Sequence, residues 1–200
     1  MQDISTEEKI LQAARKIFVD KGLEGARMQD IADEAGINKA LLHYYFRSKE
    51  KLFETIFSRV ASEFMPRMFD ILESDQCLFK KIELFCFAYI EQETKTPYVP
   101  IFIIHEINRD PKALIKKVFN KRKPPFKKVL IQIEEETKRG IIKPIDPIQL
   151  LLNIISLCIF PYLARPMIQT ITGMKMDHFN EMMKERCTTV SKMIIDSIKA

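Results

Sequence analysis

Cysteine is scarce and poorly spaced for chemistry. The four in this chain of 200 residues, Cys77, Cys86, Cys158 and Cys187, lie far apart, and no two have the two-residue spacing of a zinc or redox motif. Reduced, buried thiols are the expected state. Histidine is scarcer still: His105 adjoins Glu106, but no second histidine follows at metal-ligand spacing. There is no phosphate-binding glycine loop and no nucleophile elbow. These absences argue against an enzyme, a metal or a cofactor, and leave His105 as a core or pocket side chain. A secretory signal is missing too, because MQDISTEEKI puts acids where a basic and then an apolar region is needed. The longest apolar stretch, Ile148 to Leu163, is interrupted by Gln149, Asn153, Ser156 and Pro161, too short and too polar for a membrane span. A cytoplasmic chain with no membrane partner is expected.

Strand-like alternation is almost absent, and the apolar period is helical throughout. With 46% apolar residues the chain can bury a sizeable core, as one domain or two. Its net charge of +5 suits nucleic acid without establishing it. Ile10, Ala13, Ala14, Ile17 and Phe18 predict a first helix capped by Thr6 and stopped at Gly22. Met28, Ile31, Ala32 and Ala35 predict a short second helix ending at Gly36, and a third runs from about Lys39 to Tyr45. A longer helix starts at Lys49, capped by Ser48, with Leu52, Phe53, Ile56, Phe57 and Val60 on its inner side. Beyond Pro66, helical segments are punctuated by Pro97, Pro100, Pro111, Pro124, Pro125, Gly140, Pro144 and Pro147. The predicted fold is all-α: a three-helix head over residues 1–48, a connecting helix over 49–65 and a larger bundle over 66–200.

The segment from Met28 to Phe46, MQDIADEAGINKALLHYYF, has the layout of a DNA-reading helix pair. Ala32 and Ala35 allow close approach of two helices, and Gly36 supplies the left-handed turn. Ile37 anchors that turn, Asn38 caps the third helix, and Leu42 and Phe46 pin its inner side. Lys39, Ala40, His43 and Tyr44 are left outermost, where a major groove can receive them. Arg47, Lys49 and Lys51 follow with only Glu50 opposing them, which suits phosphate contacts. An ordinary helical hairpin fits the spacing alone equally well, but so short a helix cannot bury His43, Tyr44, Tyr45 and Phe46 together.

The runs ILQAARKIF and GLEGARMQDIADEAGINKALLHYYFRSKEKLF resemble the N-terminal domain of TetR-family regulators over about the first 55 residues. The resemblance combines the alanine-rich first helix, the I-A-x-x-A-G turn, the L-H-Y-Y-F recognition helix and the S-K-E-K-L start of the fourth. It implies a helix-turn-helix domain followed by a ligand-binding and dimerisation bundle. The implied activity is repression from a palindromic operator of double-stranded DNA, bound as a homodimer and released by a small effector. It places Gln29, Asn38, Lys39, Ala40, His43 and Tyr44 on DNA, and Lys49 on a phosphate. Three departures stand out. Ala26, Arg27 and Met28 replace the usual Thr or Ser cap, so that Arg27 either supplies a phosphate contact by charge or is a solvated side chain. His43 stands where tyrosine is commonest, and Ala40 where glycine is.

In the bundle, Ile148 to Phe160 is apolar nearly all round, and the last helix carries Phe179, Met182, Met183, Cys187, Val190, Ile194 and Ile198 as a stripe. Internal core accounts for both. The family resemblance instead implies a four-helix dimer interface, through Leu151, Ile155, Met183, Cys187, Val190 and Ile194. Phe85, Phe87, Tyr89, Phe102, His105 and Tyr162 are more aromatic and polar-tipped than a plain aliphatic core needs, though core packing explains each singly. With the resemblance, Phe85, Tyr89, Phe102, His105 and Tyr162 become candidates for an elongated pocket taking an apolar or amphipathic ligand, oriented by His105 and Tyr162. Residues Lys112 to Lys128 hold a run of lysines and one arginine without an acid, read as a solvated face rather than a second nucleic-acid surface. A methionine-rich helical adaptor is the remaining rival to a regulator.

Overall fold

The computed structural model describes residues 5–119 and 126–200, with the backbone alone at Phe102, His105 and Lys117. Among the described residues it is all-α: α1 (Thr6–Gly25), α2 (Met28–Ala35), α3 (Lys39–Tyr45), α4 (Lys49–Glu73), α5 (Leu78–Lys95), α6 (Val99–Arg109), α7 (Pro111–Phe119), α8 (Phe126–Lys138), α9 (Pro147–Leu163), α10 (Arg165–Thr172) and α11 (Met176–Ile198). The described residues form two compact units, the first running to Glu63 and taking in Ile101–Val118, the second Phe64–Pro100 with Phe119–Ala200.

In the first unit, α1 starts one residue earlier than the composition suggests. Ser5, not Thr6, accepts the Glu8 amide at 3.3 Å, and Glu7 and Glu8 sit in the first turn, favourable to the helix dipole. The helix breaks at Gly22, whose φ of 68° and ψ of 175° suit only glycine. Its inner face, Ile10, Leu11, Ala14 and Phe18, is fully buried, as are Ile31 and Ala32 of α2, Leu42 of α3 and Leu52 and Phe53 of α4. The Phe18 and Phe53 rings meet at 5.1 Å. Burying Phe18, Phe53 and Leu42 contributes about 1.5–3 kcal/mol each.

The second unit is built on the packing of α5 against α11, with α9 and α8 completing the core. Leu78, Ile82, Cys86 and Ile90 repeat every four residues along α5, and Phe179, Met183, Val190, Ile194 and Ile198 run along α11; all are buried in one cluster. The expected break at Pro66 does not occur, and α4 runs through it to Glu73. A proline here removes only the bond to the Ser62 carbonyl, and both residues lie on the exposed side of the helix, where water can replace the lost donor. Proline does mark helix starts elsewhere. Pro111 and Pro147 each follow an aspartate, Asp110 or Asp146, that accepts the amide of Ala113 (3.0 Å) or Gln149 (2.8 Å).

The last turn of α4 is held by lysines from two other helices. The buried Lys81 of α5 donates to the Leu72 carbonyl (3.0 Å) and to Gln132 Oε1 (2.8 Å), and Lys128 of α8 donates to the Glu73 carbonyl and to Asp75 (2.8 Å). Cations at a helix C-terminus satisfy its free carbonyls and oppose its dipole. Gln132 also donates to the Gln76 carbonyl and to Glu136, and Glu136 accepts the first amide of α5. Burial lowers the pKa of Lys81 below the usual lysine value.

Candidate nucleic-acid interface

The turn between α2 and α3 fixes how α3 is presented. Gly36 is left-handed, with φ of 67° and ψ of 32°, and the amides of Gly36 and Ile37 bond the carbonyls of Asp33 and Ala32 at 3.1 and 3.0 Å. Asn38 then caps α3 by accepting the Leu41 amide at 2.7 Å. Leu42 and Phe46 go into the core, while Lys39, Ala40, His43 and Tyr44 are all exposed, Tyr44 at 82%. Tyr45, absent from the expected set, is exposed too, its ring edge-on to Tyr44 at 5.5 Å. Seven residues make two turns, which can bury one stripe only, so three consecutive rings face solvent.

Besides Asn38, two more of the expected contacts are engaged within the protein. Gln29 Nε2 donates to Asp33 Oδ1 at 2.8 Å, so a base edge must compete with that carboxylate. Lys49 Nζ donates to the Glu24 carbonyl at 3.4 Å, tying α4 to the end of α1. Arg27 stands at the N-cap of α2 in an extended conformation with no side-chain cap bond, as the missing Thr or Ser implies. It is exposed, and the first-turn amides of α2 lack a cap acceptor. Around the reader, Lys16–Glu34 (2.7 Å) and Lys21–Asp30 (2.8 Å) fix α2 on α1; the Lys21 ammonium lowers the pKa of the Asp30 carboxyl.

Among the candidate ligand residues, the side chains of Phe102 and His105 lie outside the described residues. Phe85 lines an apolar cavity of about 20 Å³ whose walls include Leu72 of α4, Ile82 of α5, Phe126 of α8 and Ile154 of α9. That is room for about one water, and the walls offer it no polar partner. Tyr89 stacks on Phe85 at 5.8 Å without reaching the cavity wall. Tyr162 is a core residue rather than a polar tip in a pocket. It is 1% exposed, bonds Thr94 Oγ1 at 2.8 Å and donates to the Ile90 carbonyl at 3.0 Å.

The proposed interface stripe on α11 also turns inward. Met183, Cys187, Val190 and Ile194 are buried in the protomer's own core, because α5 covers that face. Leu151 and Ile155 are half-buried and line the same cavity as Phe85. The apolar residues left exposed are others, on several helices. On α9, Ile148, Leu152 and Phe160 lie at four- and eight-residue steps and are 60, 51 and 58% exposed, and Met167 and Ile171 of α10 are exposed as well, as are Phe87 of α5 and Met193 of α11. That spacing was visible in the sequence, but periodicity did not say which side α5 and α8 would cover. Among the described residues no group of His, Cys, Asp or Glu is placed to hold a metal, and no single helix is long and apolar enough to cross a membrane.

Comparison with known proteins agrees with this geometry. The sequence model for bacterial regulatory proteins of the tetR family matches residues 10–56, the reader and the start of α4. The chain is 28% identical over 145 residues to the uncharacterized HTH-type transcriptional regulator YhgD of Bacillus subtilis (strain 168), covering 72% of this chain and 75% of that one. It is 32% identical over 81 residues to the HTH-type transcriptional repressor KstR2 of Mycolicibacterium smegmatis, 40% of each chain. The crystal structure of AibR in complex with isovaleryl coenzyme A and operator DNA superposes with a TM-score of 0.61 at 21% identity, over 79% of this chain and 86% of that one.

Proposed function

Since the chain belongs to the TetR family of transcriptional regulators and carries its helix-turn-helix DNA-binding domain, we propose that it is a repressor that binds a two-fold operator as a homodimer and is released by a small apolar ligand. The observation that carries this reading is the division of α3. Leu42 and Phe46 anchor it inward, and Lys39, Ala40, His43 and Tyr44 stand free along its outer side. Lys39 and His43 supply donors for base edges, and the Tyr44 ring suits a thymine methyl or a sugar. Arg27, the uncapped amides of α2 and Lys49 hold flanking phosphates, with Lys49 exchanging the Glu24 carbonyl for a stronger acceptor.

Two readers about 34 Å apart need a dimer. The exposed apolar residues of α9 and of α10, which packs against it, favour one, because large apolar side chains more than half exposed on adjoining helices suit a partner surface. The relatives at equal identity include a repressor, KstR2, and an activator, FasR, both of M. smegmatis. The effector site is assigned to the gap between α5, α8 and α9, where the half-buried Phe85, Phe126, Leu151 and Ile155 must separate to admit a metabolite-sized molecule. AibR, solved with both a ligand and its operator, supports a coupled pair of sites. Helix α4 is the lever, with Phe53 and Ile56 in the reader's core and Leu72 in the cavity wall. A ligand that favours one setting of α4 by about 1–3 kcal/mol changes operator affinity roughly 5- to 150-fold.

The test is binding of the purified chain to a labelled duplex library as salt is raised. Affinity falling steeply with salt is expected, from release of counterions at the phosphates. Absence of binding at low salt would overturn the proposal.

A further inference from the structure

The apolar cavity beside Phe85 has a buried cation in its wall. Lys81 of α5 is 2% exposed, and what it shows the cavity is its methylene stem. Its ammonium is turned onto the Leu72 carbonyl at 3.0 Å and Gln132 Oε1 at 2.8 Å, which uses two of its three N–H donors. Both acceptors are uncharged. The acids whose charge reaches Lys81, Asp75 and Glu136, are bonded elsewhere: Asp75 pairs with Lys128 at 2.8 Å, and Glu136 accepts the Leu78 amide at 3.3 Å and Gln132 Nε2 at 2.8 Å. A buried ammonium held by neutral oxygens is a costly arrangement, which a directly bonded anion would relieve.

We propose that this cavity, once widened, takes an apolar molecule ending in a carboxylate, and that the carboxylate draws the Lys81 ammonium off the Leu72 carbonyl. This ligand class presupposes the effector site assigned above to the gap between α5, α8 and α9. Lysine carries its charge on a flexible four-carbon stem, so the ammonium can swing toward the cavity while α5 stays in place. Ile82, Val129, Ile133 and Ile154 would line the apolar chain. Entry is on the side of Phe85, Leu151 and Ile155, which are half-buried and reach both the cavity and solvent.

A carboxylate is a stronger acceptor for an ammonium than a carbonyl or amide oxygen. Burial works against the charged form of Lys81, and an anion beside it reverses that effect. A hydroxyl in the same place would only exchange one neutral acceptor for another, and a cationic head would be repelled. The exchange also reaches α4. Leu72 stands both in the cavity wall and in the last turn of that helix, so the ligand frees one of the two carbonyls that lysines hold there and leaves Lys128 on the other, at Glu73.

The experiment titrates octanoate, 1-octanol and octyltrimethylammonium into the full-length chain without DNA, each below its micelle concentration, by isothermal titration calorimetry. Octanoate is expected to bind about tenfold tighter than octanol, the gain from a charge-assisted bond after desolvation, and the cation not to bind. Lys81→Met keeps the apolar stem and should bring octanoate down to the affinity of octanol, whereas Lys80→Met, exposed on the same helix, should leave the preference intact. Ile155→Trp fills the entrance and should abolish binding of both. Equal affinity of octanoate and octanol in the wild type would overturn the carboxylate and leave the effector site standing. Absence of binding by all three would remove the site itself, and the carboxylate with it. An octanoate preference that survives in folded Lys81→Met would also overturn the proposal. Should Lys81→Met not fold, the wild-type preference and its loss in Ile155→Trp decide the matter.

Discussion

Gly36 offers a measurement in which the cost can be worked from the backbone alone. Its φ of 67° and ψ of 32° put it in the left-handed region, and a Cβ built there meets nothing within 4 Å. Gly36→Ala therefore adds no clash. What it adds is left-handed strain of roughly 1–2 kcal/mol. A gain of about 0.4–1 kcal/mol from a stiffer unfolded chain opposes this. The net loss is about 1 kcal/mol, or roughly 2–4 °C in melting temperature for a chain of this size. Gly36→Asn should lose less, since asparagine enters this region more readily. Urea unfolding followed by far-UV circular dichroism would measure both, with duplex affinity of the folded variants unchanged because α3 keeps its caps. A Gly36→Ala variant more stable than the wild type would refute the left-handed turn. A loss above about 3 kcal/mol, beyond what strain alone supplies, would show a clash that the open space around Gly36 excludes.

Lys39→Ala should cost about 1–3 kcal/mol of operator affinity and relax preference at one base pair, whereas Lys49→Ala should weaken all duplexes alike and flatten the salt dependence; competition binding separates the two. Leu152→Glu, on the exposed face of α9, should dissociate the dimer and leave a folded monomer in light scattering. Val190→Glu should instead unfold the chain, because it buries an unpaired charge in the protomer core. Equal behaviour of these two variants would remove the α9 face from the interface. Glu93 is buried, its Oε2 has no hydrogen-bond partner among the described residues, and burial pushes its carboxyl up to about 8. Folding then retains a proton that the unfolded chain has released, so this group's contribution is complete below about pH 4.5 and declines as pH rises to about 8. Melting temperatures of Glu93→Gln should lack that decline, and parallel wild-type and variant profiles would contradict the assignment.

The reader was legible because its signals are local. Gly36, Asn38 and Ser48 each set a helix end through their own backbone or side chain, and all three do so in the structure, whereas Gly22 kinks α1 three residues short of its end at Gly25. Thr6 was misplaced by one residue because Ser5 beside it offers the same acceptor. Pro66 shows the limit of a local rule, since the cost of a proline depends on whether the orphaned carbonyl is buried, and here Ser62 faces water. The bundle was less legible for a different reason. Periodicity found the stripe of Met183, Cys187, Val190 and Ile194 but not the helix that covers it, and α5 lies there where a second subunit had been expected. Tyr162 was read from its polar tip, which the neighbouring Thr94 and Ile90 already satisfy. The lysine latch on α4 left no trace, because Lys81 and Lys128 look like solvated residues until the helix ends they hold are placed.

Repression from an operator requires two copies of α3 to read a two-fold site. Selection of bound duplexes from a random pool by the wild-type chain tests that most directly, with Lys39→Ala selected in parallel. The prediction is a palindromic consensus whose half-sites are centred about one helical turn apart, degraded at one symmetric position in the Lys39→Ala pool. Recovery of sequences with no shared consensus, or of a single unrepeated half-site bound by one chain, would contradict it.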